Sequence, residues 1–263
     1  MRKYIYILKT TFLDSIQYVS SILFKFIGYF ISIFVMFSLW SYVYSDASNI
    51  INGYTLTQMM WYILMSEIIT YGGNSKIIIN EITEDIKNGN IAYHINKPYH
   101  YLGYIFMKYI GDSILRVLLY ALVSILLAVL FVGFIPGFNF TNIIFIILSF
   151  ILGFLINGFL KITISLLSFW IEDSEPFHWI YNKFMLILGV FFPVEMFPKF
   201  LQPYIAFTPV YVVIYGPSKL AVDCSFELFK SILIGQIIYT LITGLIMILV
   251  FKKGVKRVNV NGG

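Results

Sequence analysis

Six long apolar stretches, over residues 22–44, 56–72, 108–132, 140–169, 180–192 and 228–251, set the limits on what this chain can become. A helix that crosses a bilayer needs about 20 predominantly apolar residues. Charged residues make up 12% of the 263, against 59% hydrophobic, whereas a soluble domain carries about a quarter charged. So little charge cannot cover this much apolar surface in water. The expectation is an all-α polytopic membrane protein with six transmembrane helices, folded as a single transmembrane domain over 1–263. The fourth stretch is long enough to tilt or to run past the bilayer. The fifth is too short to cross alone and leads into FFPVEMFPKFLQPYIAFTPVYVVIYGPSKLAV, interrupted by Pro193, Pro198, Pro203, Pro209 and Pro217. Interrupted backbone cannot face lipid, because its freed polar groups would find no partner there. The segment 191–223 is therefore expected to form re-entrant or capping structure at one membrane face, packed on protein.

Lysine and arginine choose the orientation. With six spans both termini share a side, and that side would hold 13 of the 18 basic residues. Lys199, Lys219 and Lys230 fall on the other side, and Arg116 and Lys161 fall inside spans. An excess of this size is a positive-inside signal, so both termini are expected in the cytoplasm. The outer turns SDASNIINGYT and IPGFN are short and leave no soluble domain outside.

Other classes are excluded by what the chain lacks. A single cysteine, Cys224, makes no intrachain disulfide and no structural zinc site. His94, His100 and His178 have no metal-ligand spacing, so no metal is expected. The start MRKYIYILKT has no small-residue cleavage site after a short apolar core, so no removable signal peptide is expected. No nucleophile elbow is present, and Gly72-Gly73-Asn74-Ser75-Lys76 does not meet the GxxxxGK[ST] phosphate loop. Any ATP chemistry must belong to another chain, and no nucleic-acid partner is expected.

Residues 1–20 have helical period. Tyr4, Ile5, Leu8, Phe12, Ile16 and Val19 fall on one face, with Lys3, Lys9, Thr10, Asp14 and Gln17 facing away. An amphipathic helix at the cytoplasmic interface follows, either a plain anchor or an element that relays motion. The longest cytoplasmic loop, SKIIINEITEDIKNGNIAYHINKPYHY, offers Ser75 as N-cap and sets Ile78, Ile82 and Ile86 on one face. Glu81, Glu84, Asp85 and Lys87 project elsewhere, Gly89 suits a left-handed closing position, and Pro98 bars further helix. A short, firmly ended helix of this kind fits docking into a groove on another protein. A solvated connection between two spans fits the composition equally.

Glu67, Arg116 and Lys161 lie inside spans, each about eight residues or ~12 Å from the cytoplasmic helix end. Charges at such depth pair or face a polar cavity. One reading pairs Glu67 with Arg116 or Lys161, adds Asn157 one turn from Lys161, and lines the mouth of a translocation path with all four. The other is structural, with Lys108, Asp112 and Arg116 as their own i, i+4 ladder and the long cations snorkelling.

Three segments carry a family likeness. LWSYVYSDASNIINGYTLTQMMWYIL sets a Trp at the outer end of the first span ahead of a Gly-Tyr-Thr turn. NEITEDIKNGNIAYHINKP has an acidic–Ile…Ile–x–x–Gly–x–Ile…Pro pattern, with Asn96-Lys97-Pro98 where Arg-Pro is frequent. FFPVEMFPKFLQPYIAFTPVYVVIYGPSKL is punctuated by proline before the last span. The chain resembles the membrane-spanning subunits of ABC type-2 exporters, in the six-span group that includes daunorubicin-resistance-like permeases. The resemblance implies a permease forming half of the translocation path for an amphipathic or hydrophobic substrate, a drug, peptide or lipid-like molecule. It makes the helix around 80–88, within the cytoplasmic region 75–98, a coupling helix that enters a cleft on a separate ATPase subunit. Glu81, Ile82, Glu84, Asp85, Ile86, Lys87 and Gly89 would form that contact. Short re-entrant helices would lie at the extracellular face, with Phe192, Pro193, Glu195 and Pro198 closing the exit. Two ATPase subunits carrying ATP and magnesium, and a second six-span permease, identical or similar, would complete the assembly among the lipids of a bacterial cell membrane. This chain would itself be neither an enzyme nor a cofactor carrier. The rival reading is an ATP-independent secondary transporter or channel, which predicts internal inverted repeats that the sequence does not display.

Overall fold

The computed structural model describes residues 2–17, 19–44, 49–134 and 139–261. Of the expected outer turns, 45–48 and 135–138 lie outside the described residues. The chain begins with α1 (Arg2–Gln17), α2 (Val19–Val43), α3 (Leu56–Gly72), α4 (Lys76–Lys87), the short α5 (Asn90–Ile95) and the long α6 (Tyr101–Leu127). It continues with α7 (Ile143–Leu166), α8 (Glu175–Met185), α9 (Gln202–Ala206), α10 (Gly216–Val222) and α11 (Phe226–Asn261). Among the described residues the fold is all-helical, apart from an isolated antiparallel bridge between Ile51 and Tyr54.

Four helical stretches among the described residues are long and apolar enough to cross a membrane: Val19–Val43, Tyr101–Val132, Ile143–Phe169 and Phe226–Arg257. The other two expected spans are helical but shorter. α3 has 17 residues, about 25 Å of helix. α8 has 11 residues and continues as a π-helical turn over Leu186–Phe191. The third apolar stretch, expected from residue 108, lies within a longer helix, because α6 starts at Tyr101, where the cytoplasmic loop ends.

α3 is the centre of the bundle, and every residue from Met59 to Ile69 is buried. A capping box fixes its start: the Thr55 hydroxyl accepts from the Gln58 N–H at 3.3 Å, and the Gln58 side chain accepts from the Thr55 N–H at 3.0 Å. α6 packs along α3, and α10 covers another side of it. The proline-rich segment folds into short helical turns with Val210, Val212, Val213 and Ile214 buried. Its interrupted backbone is thus packed on protein, as the absence of water in a bilayer requires. α7 and α11 pack side by side, and Gln236 stitches them to this segment by donating to Ser149 O at 2.8 Å and Val212 O at 2.9 Å.

α1 departs from the face assigned to it. Tyr4, Leu8 and Phe12 are half-buried as expected, but Ile5 and Ile16 are exposed, while Thr11 and Ser15 are buried. The cause lies on α6, where a Cβ on Gly111 would stand 2.6 Å from the Leu8 carbonyl oxygen and 3.1 Å from Thr11 Cβ. Helices that approach this closely admit only small side chains at the seam. The larger apolar groups of α1 turn outward instead. At its start, Lys3 Nζ donates to Pro98 O, and the Tyr4 hydroxyl accepts from the His100 N–H at 3.0 Å. α1 therefore holds the chain segment that enters α6.

Candidate functional site

Gly72 and Gly73 end α3 and turn the chain into α4. A helix C-terminus leaves carbonyls without intrahelical donors, and it carries partial negative charge. Here the cations that sequence places inside the spans supply the donors. Arg116 Nε donates to Gly72 O at 3.3 Å, and Gly73 O accepts from Lys161 Nζ at 3.1 Å and from the Tyr109 hydroxyl at 3.0 Å. Arg116 also pairs with Asp112, Nη1 to Oδ2 at 2.7 Å, and donates through Nη2 to Ser113 at 3.0 Å. Asp112 in turn accepts from Ser15 at 3.3 Å and from Ser75. One polar joint therefore ties α1, α3, α4, α6 and α7 together where α4 leaves the bundle.

The pairing expected of Glu67 is corrected by this geometry. Glu67 is fully buried but accepts from Ser32 Oγ at 3.1 Å, and neither Arg116 nor Lys161 bridges to it. Five residues separate Glu67 from Gly72, about 140° around α3, so equal depth puts the carboxylate and the cations on different sides. The ladder on α6 forms only in its second step: Asp112 holds Arg116, while Lys108 reaches Glu81 at 2.6 Å instead. Asn157 is beside the joint, where its Oδ1 accepts from the Tyr181 hydroxyl at 2.8 Å. Ser75 sits at the N-cap position, but its hydroxyl goes to Asp112 and caps no backbone N–H.

α4 is seated on the bundle by its isoleucines. Ile78 and Ile82 are buried against Ile91, Tyr101, Ile105, Ile162 and Leu166, and Ile86 lies half-buried at the edge. The charges expected to share one outward face are split. Glu81 turns to Lys108, and buried Asp85 accepts from the Tyr101 hydroxyl at 2.9 Å with His94 Nε2 at 3.6 Å. Glu84 and Lys87 remain exposed, together with Asn80 and Ile77. Gly89 adopts φ +74°, a left-handed turn that separates α4 from α5. Tyr101 and Tyr109 were missed by sequence reasoning, since an aromatic at a span boundary reads as an interface anchor, and Lys108 was placed on the α6 ladder rather than against Glu81. Besides the in-span cations Arg116 and Lys161, the Gly72-Gly73 doublet was the available signal for the joint.

At the other end of α3, Glu195 knits the proline-rich segment to the bundle. Its Oε1 accepts from Tyr215 at 2.7 Å and its Oε2 from Tyr54 at 3.1 Å, while Lys219 Nζ lies 3.4 Å away. Burial, with the Glu195 charge adding to it, pushes the Tyr54 phenol well above its ordinary value, so it stays a donor. Phe192 stands edge-on to Trp40 at 5.9 Å; Pro193 opens a single 3₁₀ turn over Val194–Met196, and Pro198 O accepts from the Leu201 N–H at 2.8 Å. Glu195→Ala is expected to destabilise the protein by about 2 kcal/mol, because it strands two hydroxyls and leaves Lys219 only its more distant partner Asp223, 3.7 Å away. A fall in melting temperature that Glu195→Gln partly restores would show it. Between α3, α6 and α7 opens an apolar cleft of about 1170 Å³, with Trp61, Ile68, Val117, Ala121, Ile147 and Phe150 among its lining. No group of three or more His, Cys, Asp or Glu among the described residues could hold a metal ion.

A family model described as "ABC-2 family transporter protein" matches residues 21–262. The chain belongs to the ABC-2 transporter family. No curated protein matches it significantly. Membership, with the apolar helices, makes this ABC-2 family protein a multi-pass membrane protein, consistent with a transporter permease, and it implies association with an ABC ATPase.

Proposed function

We propose that this chain is the permease subunit of an ATP-driven ABC exporter. Six crossings follow when α3 and the α8 segment are counted, and both termini then lie in the cytoplasm. Two such permeases, identical or similar, assemble with two ATPase subunits that hold ATP and magnesium, and each permease forms half of the path. The observation that carries this reading is the seating of α4. Its isoleucine face is locked to the bundle, and Asn80, Glu84 and Lys87 are presented on the other side, free to enter a cleft. Closure of the ATPases pulls α4, and the joint at Gly73 together with the Lys108–Glu81 bridge passes the motion to α3 and α6. Phe192, Pro193, Glu195 and Pro198 then act as the extracellular closure. The apolar cleft supports an amphipathic or hydrophobic cargo.

Glu84→Lys tests the docking face, because Glu84 is exposed and its reversal leaves the bundle intact. Co-purification with the ATPase is expected to fall about tenfold, equivalent to ~1.4 kcal/mol, with insertion and melting temperature unchanged. Ile82→Asp is a different experiment: Ile82 is fully buried, so the aspartate unseats α4 before it reports on docking. ATPase binding that survives Glu84→Lys undiminished removes the coupling role. Transport by the purified chain alone would restore the ATP-independent reading.

A further inference from the structure

The contact between α2, α3 and α6 contains a group that the coupling scheme leaves unused. Glu67 is fully buried, and while Oε1 accepts from Ser32, Oε2 has no hydrogen-bond partner among the described residues. The cations at its depth are committed elsewhere, Arg116 to Asp112 and Gly72, Lys161 to Gly73. Tyr71 lies one turn from Glu67 on α3, and Tyr29 of α2 and Tyr120 of α6 pack against its ring. Their ring centroids are 5.2, 5.1 and 5.3 Å apart, and Phe26 adds a fourth ring 4.6 Å from Tyr120. The Tyr29 hydroxyl is tied to Ser124 at 2.6 Å, which fixes the orientation of its ring.

Aromatic faces carry negative potential and attract cations, most of all where water is excluded. A buried carboxylate with a free oxygen inside such a cluster matches a cation whose charge is diffuse and whose body is apolar. A hard metal ion is a poor fit, since it asks for six or so oxygens and no cluster of metal ligands is present among the described residues. We propose that Glu67, Ser32 and the rings of Tyr29, Tyr71 and Tyr120 form a binding site for a lipophilic organic cation, an amine, quaternary ammonium or phosphonium group on an apolar body. The rings pack on one another here, so the site is closed, and it opens when α3 moves against α2. This rests on the reading above, in which α4 drives α3, and it specifies the cargo of that path.

The test is equilibrium binding to the permease–ATPase complex in phosphatidylglycerol nanodiscs, with and without ATP. Radiolabelled tetraphenylphosphonium is compared with tetraphenylborate, its near-isosteric anion. Tetraphenylphosphonium is expected to bind saturably, at least tenfold more weakly to Glu67→Gln and several-fold more weakly to Tyr71→Leu, with tetraphenylborate indifferent to both. Absence of saturable binding to the unaltered complex, or equal affinity in Glu67→Gln, overturns the site. If Glu67→Gln fails to assemble, Tyr71→Leu decides, and unchanged tetraphenylphosphonium affinity in that variant overturns it equally. Adding phosphatidylcholine names the source: competition assigns the natural cation to a choline headgroup, and no competition assigns it to a free amphiphile, the site standing in both cases. ATPase co-purification is scored in the same samples, so loss of the coupling role and loss of the cation site are read separately.

Discussion

Asp112→Ala is expected to destabilise the protein by about 3–5 kcal/mol, because it leaves a buried guanidinium without its counter-charge. Arg116 and Asp112 are both buried, 5% and 7% exposed, and their 2.7 Å bridge lies inside the bundle. The same substitution removes the acceptor shared by Ser15 and Ser75, so α1 and the start of α4 lose their polar tie to α6. Destabilisation should therefore be joined by faster proteolysis near Ser75. The diagnostic variant is the double substitution Asp112→Leu, Arg116→Met. Replacing a buried ion pair by apolar side chains of similar volume is often neutral, so the double variant should be more stable than Asp112→Ala. Recovery should be incomplete, since Arg116 also caps Gly72 O. Denaturant unfolding in detergent measures all three proteins. If Asp112→Ala unfolds within about 1 kcal/mol of the unaltered chain, Arg116 is reaching water and the joint is not a buried network.

What was legible in the sequence followed from composition and period, which act along one helix. The apolar runs located α2, α3 and α7 closely, and α3 begins and ends where the second run does. The isoleucine spacing of α4 and the stop at Gly89 are intrinsic to the chain, and both appear in the structure. Partner choice was not legible, because depth in a membrane fixes one coordinate of a charge and leaves its azimuth open. Glu67 and Arg116 share a depth, yet Arg116 finds Asp112 one turn away on its own helix and Glu67 faces Ser32. The small-residue seam between α1 and α6 was hidden for a related reason. Amphipathic period selects Ile5 and Ile16 for burial, but the close approach at Gly111 excludes them. In a membrane both faces of a helix are allowed to be apolar, so hydrophobic period loses the power it has in water. The split between Glu81 and Glu84 depends on Lys108, which belongs to a different helix.

Gly73→Ala is expected to uncouple the proposed transporter without dismantling it. A Cβ at Gly73 would stand 2.5 Å from Asn157 Nδ2 and 2.8 Å from the Ile69 carbonyl oxygen. Neither neighbour yields easily: Asn157 is held by Tyr181 at 2.8 Å, and Ile69 O is backbone that already accepts from the Gly73 N–H at 2.9 Å. Overpacking of this kind costs about 1–3 kcal/mol, less than removing Asp112, so the protein should still insert and fold. The chain must shift at Gly73, which draws its carbonyl away from Tyr109 and Lys161 and changes the angle at which α4 leaves α3. The outer face of α4 is untouched, so the ATPase should co-purify normally, while transport per ATP hydrolysed falls about tenfold, ~1.4 kcal/mol in coupling. Gly28→Ala in α2 is the control. A Cβ there meets nothing within 4 Å, and exchanging a helix-interior glycine for alanine should be neutral or stabilise by about 0.5–1 kcal/mol. Full transport by Gly73→Ala would mean that the joint bends freely, and α4 would then move without carrying α3 with it.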